Sequence, residues 1–280
     1  MLRLSAVSFL AVALAGCVIV PDRQHALMLE TNGIVVQRQI VCGARVEASE
    51  AGEAALDPRS IRIASWNLHK QGDPGWQAEL ARLLAANDVL LLQEAGVDRQ
   101  LREVIEHDGH SWVLSSAFEY LGAEYGVLTA TRVRPAAACT LRAYEPLLGI
   151  PKAALITRFG LEGRDATLAV ANLHAINFTL GTTVYRAQLD ALAEALAAHR
   201  GPIVLAGDFN TWSEARLEVM REVTSRLSLV PVVFAADARQ RFLGRVFDWI
   251  YVRGAEVVDA TAWTVTSSDH NPLAVTLRIR

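Results

Sequence analysis

Six apolar stretches of this 280-residue chain each end on, or carry, an acid, an amide or an imidazole. "ASWNLHK" closes on Asn67 and His69, and "LLLQEA" on Glu94. "VANLHAINF" carries His174 and Asn177, while "VLAGDFN" ends in Asp208 and Asn210. Asp248 lies in "VFDWIYV", and Asp269 and His270 lie in "TSSDHNPL". Taken singly, each has an ordinary explanation: Asp and Asn make turns and caps, and a lone His is usually structural. Together they suggest one rim, because a polar side chain where a buried strand emerges is costly unless it is hydrogen-bonded or ligates a cation. Carboxylates and amides are the ligands a hard cation such as Mg²⁺ takes, with waters and a substrate phosphate completing its shell. A positioned carboxylate can act as base toward water, and imidazoles can donate to charge developing on phosphate oxygens. The chemistry indicated is metal-assisted attack of water on a phosphate ester.

Strands and helices must alternate to bring such residues together. "IRIASWNL" reads as a strand, "GWQAELARLLAAN" as a helix and "DVLLLQE" as a buried strand, followed by the helix "VDRQLREVIEHDG". Short strands are predicted around 112–116, 125–130, 153–158 and 166–173. In "TTVYRAQLDALAEALAAHR", Tyr185, Leu189, Leu192 and Leu196 recur at helical spacing and form one apolar stripe. A strand at 202–206, a helix at 212–227 and strands near 247–252, 257–265 and 273–279 complete the series. This order fits two packed sheets covered by helices. Before it, "ALMLETNGIVVQRQIV" has Asn-Gly at the turn of a short hairpin, and a small, polar, acidic stretch reaches Ser60.

Composition sets limits. Apolar residues are 52%, charged residues 20% and the formal net charge is −3, so the chain has a sizeable core and no overall basic field for nucleic acid. The opening "MLRLSAVSFLAVALAGC" has one Arg, an apolar run too short to span a bilayer, and a small-residue site before Cys17. It resembles a bacterial lipoprotein signal. That resemblance implies removal of residues 1–16, lipidation of Cys17 and membrane anchoring in the cell envelope; Val18 in place of Asp implies the outer membrane, facing the periplasm. Cys42 and Cys139 then remain as a pair, and sequence leaves open whether they bridge.

From Ile61 to the end, "WN", "QE", "N-x-H", "GDFN", "D-W-I-Y-V" and "SDH" occur in the order found in the endonuclease/exonuclease/phosphatase superfamily, which this chain resembles. More narrowly, "NLHAINFTLG", "GPIVLAGDFNTWS" and "SDHNPL" are similar to the YafD-type proteins of bacteria. The resemblance implies a deoxyribonuclease-like four-layer α/β-sandwich over 61–280, with 17–60 as an extension and linker. It implies Glu94 as principal metal ligand with Asn67 and Asp269 nearby, for Mg²⁺ or else Mn²⁺ or Ca²⁺. Asp208 would align or deprotonate water, Asn210 would hold the water or the phosphate, and His270, oriented by Asp248, would contact the scissile phosphate. His174 would stand opposite as phosphate donor or leaving-group acid, and Asn177 would bind a phosphate oxygen. His69 stands where apurinic endonucleases carry a second acidic ligand, which argues against a carboxylate-rich two-metal site.

The only two lysines, Lys70 and Lys152, lie beside motif stretches; Lys152 is assigned to substrate, since a compact ammonium suits phosphate. Arg239, Arg241 and Arg245, interleaved with Phe242 and Phe247, form either a grip for a polynucleotide strand or a solvated loop. His25, His107, His110 and His199 read as structural or surface residues. The expectation is a metal-dependent phosphodiester hydrolase, nuclease-like in its paired histidines, acting on nucleic acid. A phospholipid or sphingomyelin phosphodiesterase and a catalytically silent envelope binding module are the alternatives. The chain is read as a monomer, with no protein partner inferred.

Overall fold

A computed structural model describes residues 18–30, 33–42, 55–107 and 109–280; the expected signal segment and Cys17 lie outside the described residues. The chain forms β1 (Ala26–Leu29), β2 (Val35–Arg38), β3 (Ile61–Asn67), α1 (Trp76–Ala86), β4 (Val89–Gly96), α2 (Arg99–His107), β5 (Ser111–Tyr120) and β6 (Ala123–Thr131). There follow β7 (Ala137–Tyr144), β8 (Pro151–Leu161), β9 (Arg164–His174), α3 (Thr183–Ala197), β10 (Ile203–Asp208) and α4 (Glu214–Arg226). β11 (Val230–Pro231), β12 (Arg241–Phe242), β13 (Arg245–Val246), β14 (Asp248–Arg253), β15 (Ala255–Ala262) and β16 (Leu273–Ile279) end it. Among the described residues no helix is long and apolar enough to cross a membrane.

Two mixed sheets stack face to face. One has eight strands in the order β15-β16-β3-β4-β6-β5-β1-β2, the other six in the order β11-β14-β10-β9-β8-β7. Strand alternation makes the layers. Ile61, Ile63, Val89 and Leu91 point inward against Val170, Val204 and Ile250 of the other sheet, all fully buried. Ala64, Trp66, Leu90 and Leu92 point outward, under Leu80 and Leu83 of α1 and Leu101 and Ile105 of α2. On the opposite outer face, the stripe Tyr185, Leu189, Leu192 and Leu196 of α3 packs with Val219 and Val223 of α4 over Leu173 and Leu205. The result is the four-layer α/β-sandwich.

The N-terminal segment is part of this body. β1 pairs with β2 and with β5, adding two edge strands to the larger sheet. Cys42 is bridged to Cys139 on β7, with Cα atoms 4.8 Å apart, so the segment is stapled to the second sheet as well. β7 itself gave no sequence signal: only Ala138 and Thr140 of "AACTLRAY" are buried and most of the others are half-buried, which blurs alternation. β15 starts at Ala255 and stops at Ala262, earlier than the apolar pattern to 265 suggests, because Trp263 and Val265 leave the ladder to pack against the α1–α2 layer.

Between the sheets lies a polar layer built from Gln93 of "QE" and Asn172 of "N-x-H". Gln93 Nε2 donates to Asn172 Oδ1 at 2.7 Å and to Ser65 Oγ at 3.2 Å. Asn172 Nδ2 in turn donates to the carbonyls of Leu92 and Leu128 at 3.1 and 3.0 Å. Both amides are fully buried, so each bond works in a low-dielectric interior, where losing a partner is costly. They tie β4 to β9 one residue before Glu94 and two before His174.

Candidate active site

Backbone register alone aligns much of the polar rim. β3 and β4 run parallel with Asn67 beside Gln93. β9 and β10 run parallel with His174 beside Asp208, and β14 brings Asp248 alongside Asp208 from the other side. His270 then reaches in from the loop before β16. Its Nδ1 lies 2.8 Å from Asp248 Oδ2, and its backbone N–H donates to Ser268 Oγ, which itself donates to the Asn67 carbonyl at 2.7 Å.

The turn "AGDFN" does two jobs at once. Gly207 has φ +138°, and a Cβ there would sit 2.0 Å from the Leu173 carbonyl oxygen, so only glycine lets β10 lie this close to β9. Asp208 Oδ1 accepts from the Asn210 N–H at 2.9 Å, the usual Asx turn. Asp208 Oδ2 faces the cleft, where it accepts from Asn67 Nδ2 at 3.2 Å and lies 3.6 Å from His174 Nε2 and 4.0 Å from His270 Nε2. Asn210, at φ +49°, spends its NH₂ group on the Ala175 carbonyl at 3.0 Å. The amide is buried, and this bond stitches the two site loops together.

Glu94 reaches the cleft through strain. Strict alternation would send it outward with Leu92, but the strand bulges between Leu92 and Ala95 and Glu94 takes φ +52°. Its Oε2 receives Lys70 Nζ at 2.5 Å, while Oε1 lies 3.8 Å from both Lys152 Nζ and His174 Nε2. Burial would raise this carboxyl, but Lys152 and Lys70 outweigh it and hold Glu94 far below the ordinary carboxylate range. Lys152 Nζ is also 2.9 Å from His174 Nε2. Burial, reinforced by Lys152, depresses His174 well below 6.5, so the ring is neutral. An ammonium only donates, so Nε2 is the acceptor in this pair and the transferable proton sits on Lys152.

Asp208 and His270 are displaced in opposite senses. Burial pushes Asp208 up to about 6, against the pull of the His270 imidazolium and with the help of Asp248. Burial would lower His270, but Asp248, by charge and hydrogen bond, then Asp208 and Asp269, push it up to about 10. A carboxylate near neutrality beside a persistent imidazolium is the pattern of an acid and base pair.

An open cavity of about 300 Å³ is lined by Asn67, Glu94, Lys152, Asn177, Asp269 and His270 among others. Asp269 is the most exposed of these, 3.8 Å from His69 Nδ1, which also bonds Asp73 Oδ2 at 2.7 Å. Asn177 Oδ1 accepts from Trp212 Nε1 at 3.0 Å, leaving its NH₂ as the donor for the cavity. Two residues not singled out by sequence shape this wall. Buried Glu145 accepts the backbone N–H groups of Asn177 and Phe178 at 2.7 and 2.8 Å. Arg216, wholly buried, donates to the carbonyls of Ile176, Asn177 and Asn210 and lies over the rings of Tyr185 and Trp212. Neither had a local signal, since both act through backbone groups distant in sequence.

The basic stretch before Asp248 is partly paired with acids. Arg239 and Arg241 both pair with Asp237, and Arg245 pairs with Glu214. Arg239 is also stacked on Phe234 and Trp249. Arg239 is thus committed to the fold, while Arg241 and Arg245 keep surplus positive charge at the surface, because Asp237 serves two guanidiniums and Glu214 is shared with Arg221.

The residues at the cavity fit a hard cation in donor chemistry. Glu94 is ionised, Asn67 Oδ1 accepts one bond, from the His69 N–H at 3.0 Å, and keeps a second lone pair, and Asp269 is close to solvent. Lys70 stands against Glu94 on an exposed, flexible stem, so that face of the carboxylate can be given over to an ion. Among the described residues no three His, Cys, Asp or Glu side chains form a closed cage. An ion here would thus rest on few protein ligands, as Mg²⁺ commonly does.

The profile of the Endonuclease/Exonuclease/phosphatase family matches residues 64–270. A UPF0294 protein of Vibrio parahaemolyticus is 38% identical over 260 residues, covering 91% of this chain and 90% of that one. A UPF0294 protein of Yersinia pestis is 36% identical over 259 residues, covering 91% and 98%. Among solved structures, an endonuclease/exonuclease/phosphatase of Beutenbergia cavernae superposes with a TM-score of 0.61 at 21% identity, covering 79% of this chain and 72% of that one.

Proposed function

Since the chain belongs to the endonuclease/exonuclease/phosphatase family, whose members are hydrolases of phosphoesters and generally use divalent metals, we propose that it is a divalent-metal-dependent phosphodiester hydrolase working with Mg²⁺. The observation that carries this is the convergence on Asp208 Oδ2: Asn67, His174 and His270, from three separate segments, all lie within 4.0 Å of one carboxylate oxygen.

In this reading Asp208 takes the proton of the attacking water. That water adds to phosphorus, the ester P–O bond on the opposite side breaks, and the departing alkoxide takes a proton from Lys152. His270, kept protonated by Asp248, donates to a non-bridging phosphate oxygen, where negative charge grows during attack. His174 holds Lys152 in place, and Asn177 donates to a second phosphate oxygen. Glu94, with Asn67 and Asp269, would hold the divalent ion, which when bound supplies positive charge to the phosphate.

Purified full-length protein should hydrolyse bis(p-nitrophenyl) phosphate with Mg²⁺ or Mn²⁺ and stop in EDTA. Asp208→Asn should keep the Asx turn through its amide oxygen yet lose about 10²–10⁴ in rate. Glu94→Ala should raise the metal concentration needed for half-activity. Full activity in EDTA, or in Asp208→Asn, would overturn the proposal.

A further inference from the structure

All four Leu-Gly dipeptides of the sequence lie at loop tips around the cleft: Leu121-Gly122, Leu148-Gly149, Leu180-Gly181 and Leu243-Gly244. Topology puts them there. The β5–β6 turn follows the pairing of Tyr120 with Ala123, next to Gly96 at the Glu94 end of β4. The β7–β8 loop closes beside Lys152, and the β9–α3 loop follows His174. The β12–β13 turn is linked to His270 through Phe247, whose ring lies 6.3 Å from Phe242 and 6.1 Å from His270.

Each tip points a leucine into water. Leu121 is 80% exposed, Leu180 88% and Leu243 83%. Tyr144, Leu147, Leu148 and Phe178 on the same loops are exposed too. Leu121 and Leu243 both sit at φ +50°, a conformation that turns normally give to Gly, Asn or Asp. All four glycines also have positive φ, with open space where a Cβ would be. Folding gains nothing from an exposed leucine in a disfavoured backbone region, so these tips need a partner. They are not loose, since Glu145 binds the β7–β8 loop to the backbone of the β9–α3 loop.

The N-terminus indicates which partner. Ile19 is held to Glu119 by backbone bonds of 2.9 and 2.7 Å, one residue before the β5–β6 turn. Cys17 precedes Ile19 by two residues in the sequence. Acyl chains on Cys17 would therefore enter a membrane at the end of the molecule that bears the leucine tips.

We propose that the Leu-Gly tips and the lipidated Cys17 hold the mouth of the cleft against a phospholipid bilayer, and that its substrate is the phosphodiester of a lipid in that surface. The second half rests on the hydrolase reading above. A formal net charge of −3 gives no overall basic field for nucleic acid, which favours this occupant. A tethered enzyme meeting an ester within the membrane needs only a short reach and an apolar rim that tolerates acyl chains.

The test uses the full-length lipidated protein on vesicles of phosphatidylethanolamine and phosphatidylglycerol. Fluorescent probes on Leu121→Cys and Leu243→Cys should be quenched by bromine in the acyl chains. A probe on Ser60→Cys, at the far end of β3, should not be. Leu121→Ser combined with Leu180→Ser and Leu243→Ser should leave bis(p-nitrophenyl) phosphate hydrolysis unchanged and slow vesicle phospholipid hydrolysis at least tenfold. Tip probes that stay in water would overturn the docking, and plasmid DNA or RNA consumed in preference to vesicle lipid would overturn the substrate. Inserted tips with no ester hydrolysed at all would support the docking and overturn the hydrolase reading, so the two failures are separable.

Discussion

Replacing Asp248 by Asn tests the electrostatic core of the site, because it removes one charge and keeps the shape. Asp248 is buried and bonds His270 Nδ1 at 2.8 Å, and it is the foremost influence raising the imidazole to about 10, against burial. Moving that midpoint from 6.5 to about 10 corresponds to about 5 kcal/mol of preference for the charged ring. A histidine raised in the folded state stabilises the protein fully below pH 6.5, and this contribution is lost as pH climbs from 6.5 through 10. In Asp248→Asn the ring should titrate at 6.5 or below, since burial then acts with less opposition. If only the imidazolium serves the phosphate, activity at pH 8 should fall at least about 30-fold from deprotonation alone, and the loss at pH 6 should be smaller by at least about 20-fold. Two measurements check this: the His270 ring-proton titration by NMR in both proteins, and the rate on bis(p-nitrophenyl) phosphate from pH 5.5 to 9. A wild-type His270 titrating near 6.5, or a variant whose loss is the same at pH 6 and pH 8, would refute the reasoning.

Two structural predictions stand beside it. Cys42 and Cys139 are 97 residues apart, a loop whose closure restricts the unfolded chain by about 4–5 kcal/mol in the entropic account. Cys42→Ser with Cys139→Ser should lower stability in urea by about 2–5 kcal/mol, and dithiothreitol should reduce the wild type to the same level; two free thiols in the native protein would contradict the bridge. Gly207→Ala sets a Cβ 2.0 Å from the Leu173 oxygen at φ +138°. It should cost more than about 4 kcal/mol or abolish soluble expression, and a variant within 1 kcal/mol of wild type by urea unfolding would show that β9 and β10 can part.

How far the site was legible depends on whether a residue's role is local. Strand alternation and the apolar stripe of α3 report directly on burial, so the layers could be read from the residues. Asp208, His174 and His270 stood out because strong polar groups at the ends of buried strands need a reason. Glu145 and Arg216 did not, and Gln93 and Asn172 showed only as motif letters, since each acts on backbone or amide groups of a segment far away in sequence. Arg245 likewise has its partner Glu214 31 residues earlier. Lys152 looked like a phosphate contact, but its place between His174 and Glu94 depends on how β8 and β9 align with β4 across the sandwich.

The left-handed residues of the site explain why so much hidden bonding surrounds it. Glu94 and Asn210 have positive φ, as do His69, Lys70 and Gln71 between β3 and α1. Such conformations cost about 1–3 kcal/mol each and persist only where neighbours leave no alternative. Each strained group here is held from two sides. Glu94 lies between Gln93, pinned to Asn172, and Gly96, whose N–H donates to Gln71 Oε1 at 2.9 Å while Gln71 Nε2 donates back to the Gly96 carbonyl at 2.6 Å. Asn210 is fixed by Asp208 at its own N–H and by Arg216 at its carbonyl. The inter-sheet amides, the Gln71 clasp and the Arg216 triad thus form the structure that aims Glu94 and Asp208 into one cleft against their backbone preferences. Loosening any of them should let the carboxylates relax outward before the sandwich unfolds.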